Sequence, residues 1–344
     1  MADAGPVART AKAAEAARVP DRRIGRRAAL RTLAALCAAV GGAAGVVSAQ
    51  PRMLRVVAPF PAGGSTDILA RALAERLAAA RGQAAVVENR PGANGALGTE
   101  AVARSVPDGQ TLLVHTNAGI LINPMLYKAL ANPLESLAPV AQLVELELVL
   151  AVRSDNPART LGEFVEQARS RPQGLTYASV GAGSLSHLAG EAFRLAANVP
   201  MLHVPYKGAA PALNDLLGGQ VDCYFGTPPT FLPHVRSGRL RVLANTAAEP
   251  SPWFEGVPRV ADLLPGFAVV GWQGLFVPAA TPAPAVEALE RTVLAALAED
   301  TLRRQLAEQG MRVTARPAHE LATLMRREQA GWARLIERAK ISVQ

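Results

Sequence analysis

Two glycine-rich runs carry the residue types and spacing most suited to chemistry. The first is Pro59-Phe60-Pro61-Ala62-Gly63-Gly64-Ser65-Thr66-Asp67 and the second is Ser179-Val180-Gly181-Ala182-Gly183-Ser184. Each leads into apolar residues at helical spacing. A glycine turn that delivers the chain into a helix start leaves backbone amides unpaired at the positive end of the helix dipole, which suits a carboxylate or a phosphate. Ser65 or Thr66 is expected to cap the first helix, and Ser184 the second. Phosphate binding would add a P-loop lysine or a G-x-G-x-x-G fingerprint, and neither occurs at 61–67 or 181–187. Gly92, Gly95 and Gly98 follow G-x-x-G-x-x-G, the wrong spacing. Glycines that only turn the chain are the plain alternative at either loop.

Catalytic patterns are weaker. Ser184, His187 and Asp222 have the residue types of a nucleophile triad, but no G-x-S-x-G elbow surrounds Ser184, which is better placed as a helix cap. His319-Glu320 begins a zinc-protease pattern that fails at Thr323. His115, His187, His203 and His234 are scattered along the chain, so each reads as a surface or hydrogen-bonded histidine, and neither a metal nor a cofactor is expected. Lys207, beside Tyr206 and just before a helix, is placed to meet an anion or simply to be solvated. Asp67 either supports the helix dipole or faces a donor on a ligand.

The elements that must position these residues alternate between strand and helix. Met53–Ala58 reads as a buried strand, followed by the first loop and a helix in which Leu69, Leu73 and Leu77 recur until Gly82. The unit recurs as strand 175–180, the second loop, and a helix carrying Leu185, Leu188, Ala189, Ala192 and Leu195. A third runs from 202–204 through Pro205-Tyr206-Lys207-Gly208 into a helix closed by Gly218-Gly219. Further strands are expected at 220–225, 240–244 and 269–277, the last containing Trp272, which reads as packing at a lobe junction. The C-terminus is helical: Thr281-Pro282 opens one helix, Asp300 caps a second that ends at Gly310, and Leu321, Leu324, Met325, Trp332, Leu335 and Ile336 form the stripe of a third. The whole is α/β with mostly parallel strands, and ligand crevices are expected beyond their carboxyl ends.

Half of the 344 residues are hydrophobic and 19% are charged, enough apolar material for a packed globular core. The formal charge of +8 is concentrated at the N-terminus, where residues 1–49 hold eight Lys/Arg against three Asp/Glu. The remaining 28 basic and 25 acidic residues are nearly balanced, and aromatics make up 4%, so nucleic acid is excluded as a partner. Arginines 22, 23, 26, 27 and 31 precede an uncharged stretch, 32–47, and Val47-Ser48-Ala49 is a small-residue cleavage pattern. Residues 1–49 therefore read as an export signal. Arg26-Arg27 leaves the general and the twin-arginine routes both open. After cleavage Cys223 is the single cysteine, so no intrachain disulfide can form. The uncharged stretch 263–286 is broken by four prolines and cannot be a spanning helix.

Several motifs in order carry a resemblance: PFPAGGSTD at 59–67, ENRPGANG at 88–95, PDGQT at 107–111, YASVGAGSLSH at 177–187, VPYKGAAPAL at 204–213 and GGQVD at 218–222. The sequence resembles the periplasmic solute receptors of tripartite tricarboxylate transporters, the Bug family, over nearly all of the chain after residue 49. The resemblance implies a two-lobed periplasmic binding protein, type II-like, with a mostly parallel sheet in each lobe and a ligand cleft between them. Lobe 1 would span 50–150 and 272–344, and lobe 2 would span 151–271. The implied pocket takes Phe60, Ala62, Gly63, Gly64, Ser65, Thr66 and Asp67, with the Asn117-Ala118 loop, from lobe 1. From lobe 2 it takes Ser179, Gly181, Ser184, His187, Tyr206, Lys207 and Asp222. The implied ligand is a small organic acid, a di- or tricarboxylate, an amino acid or an aromatic acid. The receptor would be a monomer in the periplasm, with membrane transporter subunits or a sensor kinase as its protein partners. An exported hydrolase or lyase, and a sensor that signals without uptake, are the alternatives.

Overall fold

A computed structural model describes residues 53–126 and 132–342; the export signal read at 1–49 lies outside them. Two sheets organise the chain. The first has six strands in the order β11-β4-β10-β3-β1-β2, and the second has five in the order β7-β6-β8-β5-β9. The strands are β1 Leu54–Ala58, β2 Ala85–Asn89, β3 Thr111–Thr116, β4 Leu137–Glu147, β5 Val149–Arg153, β6 Leu175–Ser179, β7 Met201–Pro205, β8 Cys223–Gly226, β9 Leu240–Asn245, β10 Val270–Pro278 and β11 Arg312–Pro317. The main helices are α1 Ser65–Arg81, α2 Ala96–Ala103, α3 Leu161–Ser170, α4 Leu185–Ala197, α5 Ala209–Leu217, α6 Pro228–Arg236, α7 Ala283–Ala298, α8 Asp300–Glu308 and α9 Ala318–Ala339.

Strand direction is mostly uniform within each sheet. In the first, β2, β1, β3 and β4 run one way and β10 and β11 run against them. In the second, only β5 is reversed. Two of the reversed strands, β5 and β10, lie where the chain changes sheet. It leaves the first at the end of β4, passes through Leu148 into β5, and returns between β9 and β10. Gly271 sits at that return, where an added Cβ would lie 2.5 Å from Leu185 Cδ2, so the returning strand passes tightly against the start of α4. Each sheet is thus the centre of one lobe, and the glycine loops after β1 and β6 leave at carboxyl ends of their strands, where open α/β sheets bind ligands.

Burial follows the apolar periodicity. Leu69, Leu73 and Leu77 of α1 are fully buried against Leu54, Val56 and Leu112, and left-handed Gly82, with φ 60, ends the helix. In lobe 2, Tyr177, Phe193 and Phe225 meet in one aromatic core. The stripe of α9 packs Leu321, Leu324 and Met325 beside Trp272, with Trp332, Leu335 and Ile336 partly buried on the same cluster. That cluster also takes Leu188 from α4, so α9 braces both lobes. Two expected caps differ. Gly64, not Ser65 or Thr66, occupies the cap position of α1 and makes no side-chain bond there; Glu299 precedes Asp300, which is the first helical residue of α8. Among the described residues no helix is long and apolar enough to cross a membrane.

Gly190 shows how tightly α4 lies on β6. An added Cβ would stand 2.2 Å from Tyr177 Cε2, and the Tyr177 hydroxyl is fixed by donation to Glu191 Oε1 at 2.6 Å. Gly190→Ala gains helix propensity of about 1 kcal/mol but forces an overpacked core, for which a cost of about 1–3 kcal/mol is ordinary. The expected outcome in urea unfolding is a lower midpoint than that of the wild type; an unchanged or raised midpoint would show that the α4–β6 contact gives way.

Candidate functional site

The first loop owes its shape to side chains that reach it from elsewhere in lobe 1. Gly63 has φ 83, a conformation that favours glycine. Its amide donates to Asp67 Oδ2 at 2.9 Å. Asn89, the last residue of β2, donates from Nδ2 to Asp67 Oδ1 at 2.9 Å and to the Phe60 carbonyl at 3.1 Å. Arg71, one turn along α1, donates from Nε to Oδ2 at 3.0 Å and stands 2.9 Å from Oδ1. Asp67 is therefore buried, and its carboxylate is occupied by four donors of its own lobe. Burial pushes its carboxyl up, but the hydrogen bonds from Arg71, Gly63 and Asn89 outweigh this and hold it below its ordinary value. This geometry gives Asp67 a role apart from the expected ligand donor: the carboxylate fastens the loop. Around it, Ala62, Gly63 and Gly64 are exposed, Ser65 is half-buried and Thr66 is buried. The amides of Ser65, Thr66 and Asp67 open α1 and have no intrahelical acceptor.

Beneath this loop lies His115 of β3. Its Nδ1 accepts the Thr116 amide at 2.8 Å, and its ring meets the Phe60 ring edge to face at 5.5 Å. Burial pushes its pKa down to about 3. From the returning strand, Gln273 donates to Ser65 Oγ at 3.0 Å. Asn117-Ala118, expected as a loop, instead opens a π-helical turn over Ala118–Ile122. Asn117 points inward: its Nδ2 donates to the Val270 carbonyl at 3.1 Å and its Oδ1 accepts the Ala118 amide. Glu328 of α9 accepts from the Trp272 and Trp332 indoles at 3.0 and 3.3 Å, and burial pushes its carboxyl up.

The second loop is built differently. Ser184 caps α4 as expected, with its Oγ accepting the His187 amide and donating to the Gly181 carbonyl at 2.6 Å. Ser186 Oγ accepts the Val180 amide and Ser179 Oγ accepts the Gly181 amide. His187 Nδ1 accepts the Gly183 amide at 3.1 Å, which places the ring proton on Nε2. The His187 ring lies flat on His203 of β7, centroids 3.7 Å apart and planes 7° apart, and His203 Nε2 is 2.6 Å from Ser179 Oγ. Tyr177 lies beside this pair, 5.1 Å from His203 and 6.4 Å from His187. Sequence separation hid this pair, because strand pairing of β6 with β7 brings position 203 beside 177.

Three expected residues fall outside this arrangement or on its margin. Asp222 lies at the opposite, amino-terminal end of β8, where it accepts the Thr176 amide and hydroxyl at 2.7 and 2.8 Å and pairs with Arg171 at 2.8 Å. It pins β8 to β6 and is removed from the site. Tyr206 joins the loop through its amide, which donates to the Ser179 carbonyl, while its hydroxyl donates to Asp215 at 2.7 Å; burial and that carboxylate push its pKa up to about 12. Lys207 is exposed. With Asp222 elsewhere and His187 Nδ1 occupied by an amide, the side chains of a hydrolytic triad are not assembled. Asn89, Gln273 and His203 are the supporting residues that sequence reasoning missed; Asn89 lies within the quoted ENRPGANG run.

Two lobes joined by crossing strands, with a helix start facing outward from a glycine loop in each, define a two-lobed binding protein. The family model of the tripartite tricarboxylate transporter family receptor matches residues 69–341, and the chain belongs to that family. It is a receptor rather than an enzyme. BugT of Bordetella pertussis is 36% identical over 282 residues, covering 79% of this chain and 85% of BugT. The solved structure of Rhodopseudomonas palustris Rpa4515 with adipate is 31% identical with a TM-score of 0.80, covering 85% of this chain and 99% of that one. MatC from Rhodopseudomonas palustris with bound malate is 34% identical with a TM-score of 0.76, covering 83% and 98%.

The two supports of the site titrate in the same direction. His187 and His203 are each pushed down by burial to about 4, against about 6.5 in the unfolded chain. The unfolded state then takes up protons first, so the stability they contribute is complete above about pH 6.5 and is lost as pH falls from there toward 4, at about 1.4 kcal/mol per pH unit for each proton. Glu147, pushed up by burial to about 7, opposes this in part: its contribution is complete below the unfolded carboxyl value and is lost as pH rises through 7. Denaturant unfolding from pH 7 to 4 is expected to show stability falling, with a shallower fall in His203→Gln. Equal slopes would remove His203 from the account.

Asp67→Asn supplies the matching test in lobe 1. The substitution turns an amide donor or a weaker acceptor toward Gly63, Arg71 and Asn89, and about 1–3 kcal/mol of stability is expected to go at pH 7. Because the folded carboxyl titrates below its unfolded value, the difference from the wild type is expected to shrink as pH falls through that folded value. A Tm equal to that of the wild type at neutral pH would show that the loop holds its shape without the carboxylate.

Proposed function

We propose that this protein is an extracytoplasmic receptor that takes a small carboxylate between its lobes and presents it to a tripartite tricarboxylate transporter. The observation that carries this reading is the pair of helix starts, α1 after Gly63-Gly64 and α4 after Gly183, each opening from a glycine loop with its first amides free of intrahelical acceptors. A fixed array of neutral donors at a helix terminus favours an anion without introducing a counter-charge that must be desolvated. The exposed glycine edge at 62–64 lets a planar group approach the backbone closely. The relatives with adipate and malate bound supply the ligand class: a short, unbranched or hydroxylated dicarboxylate is the first candidate here. The leader at 1–49 and family membership support a periplasmic location, with a monomer as the binding unit and the transporter's membrane subunits as the partners.

The test is a thermal-shift screen against mono-, di- and tricarboxylates, amino acids and nicotinate, with malate and adipate included. A ligand at a hundred times its Kd stabilises by about 2.7 kcal/mol, which displaces the melting transition by several degrees. A carboxylate that raises the Tm while its amide analogue does not is the expected result. Absence of any shift across the carboxylates would overturn the reading.

A further inference from the structure

The segment between β2 and α2 makes a bond that none of the above explains. Gly92, Ala93, Asn94 and Gly95 have φ values of 135, 46, 50 and 86, four consecutive residues on the side of the map that favours glycine, although two of them carry side chains. Such a backbone persists only where its surroundings over-determine it. Here the surroundings are the carboxamide of Asn123, which is 3% exposed. Asn123 Nδ2 donates to the Asn94 carbonyl at 3.0 Å and Asn94 Nδ2 donates back to Asn123 Oδ1 at 2.9 Å, a reciprocal pair within lobe 1.

The second hydrogen of Asn94 Nδ2 leaves the lobe. It is donated to the carbonyl of Gly183 in lobe 2, at 3.1 Å. Gly183 is held from both sides: its amide belongs to His187 of its own lobe and its carbonyl to Asn94 of the other. Beside this bond, Leu126 of lobe 1 stands so close that a Cβ on Gly183 would be 2.7 Å from its Cδ1. The contact therefore falls on the residue immediately before the cap of α4, at one of the two helix starts. Opening the lobes must break the Asn94–Gly183 bond and leaves the Asn94–Asn123 pair whole, so the donor stays aimed and no side-chain ordering is needed when the lobes meet again.

We propose that Asn94 is the latch of the closed cleft, a positioning residue that sets how long a ligand is retained without selecting which ligand enters. The proposal rests on the reading of the cleft as a carboxylate site. One neutral hydrogen bond of this kind is worth up to about a tenfold change in an equilibrium. Because the bond joins the lobes across a closed cleft, and reopening must break it before a ligand leaves, the change is expected in dissociation.

Two variants test it. Asn94→Gly keeps the positive φ and removes the carboxamide, and Asn94→Asp keeps the side chain's size while turning acceptors toward both the Gly183 carbonyl and Asn123 Oδ1, with the Asn123 Nδ2 bond to the backbone carbonyl left in place in both. Stopped-flow release of malate or adipate, whichever stabilises the wild type, is expected to be about tenfold faster from both variants, with association within about twofold of the wild type and the malate-to-adipate affinity ratio preserved. Equal dissociation rates would overturn the latch, and a changed affinity ratio would replace it with a direct ligand contact. If neither acid nor any other carboxylate stabilises the wild type, the binding reading has failed on its own. The latch is then decided without ligand, from distances between a spin label on each lobe. A short-distance population present in the wild type and lost in Asn94→Asp supports it, and identical distributions overturn it. Melting of the free variants accompanies each measurement, since a drop well beyond that of a surface substitution would assign Asn94 to the fold of lobe 1 instead.

Discussion

The carboxylate of Asp67 is the interaction on which lobe 1 of the site depends. A loop that offers backbone amides to a ligand has to keep those amides unpaired while every other polar group near them is satisfied, and glycine gives the chain no side chain with which to hold such a shape. Asp67 solves this from the first turn of α1. It gathers the Gly63 amide, Asn89 from the neighbouring strand and Arg71 from the next turn, so the loop, the strand order and the helix are tied at one point. The position also suits the helix dipole, but the dipole alone would be served by any carboxylate in that turn. The four donors explain why the aspartate is buried although it sits beside a site for anions: its charge is spent within the lobe and contributes little repulsion at the helix start.

Lobe 2 meets the same requirement with neutral groups. Ser179, Ser184 and Ser186 take the amides and carbonyl of the loop, and His187 takes the Gly183 amide while lying flat against His203. Burial holds both imidazoles neutral, and a charge on His203 would also face its stacked neighbour, so the depressed titration follows from the same packing that makes the loop rigid. The two halves of the cleft therefore differ in chemistry. One is clamped by a charged network that acid weakens as its carboxylate protonates, and the other by a stack that acid disrupts by adding charge.

Sequence reasoning was most successful where local physics decides. The leucine stripe of α1, the serine cap of α4, the glycine stops after α1 and α5 and the amphipathic face of α9 follow from periodicity and capping chemistry, and the structure places each close to where those rules put it. It failed where a residue's partner is remote. Asp67 and Asp222 read alike as acids near glycine loops, yet one is claimed by Asn89 and the other by Arg171 and Thr176, partners set by which strands lie side by side. His203 looked isolated for the same reason. Strands β2, β3, β4, β5 and β11 carried no alternation clear enough to mark them; β3, buried at five of six positions, has only Leu112, Leu113 and Val114 as apolar residues, between Thr111 and His115. β11 is interrupted at Ala315, with φ 49, and slips register against β4.

The crossing strands connect the two halves into one device. β4 and β10 are antiparallel neighbours in lobe 1, and each continues into a chain crossing, so any rotation of lobe 2 turns about the same pair of strands. On one side of this axis lie the glycine loops and the Asn94–Gly183 bond. Elsewhere between the lobes, the Trp253 indole donates to the Ala307 carbonyl of α8 at 2.7 Å and Ser251 donates to Glu147 at the end of β4. These contacts are polar and small beside the two hydrophobic cores that each sheet builds for itself. Each lobe is therefore stable by its own burial, while the relation between lobes rests on the apolar brace of α9 against Leu188 and on a few hydrogen bonds whose balance a bound anion can shift. That separation of scales is what allows a protein of this architecture to be rigid at its binding surfaces and movable between them.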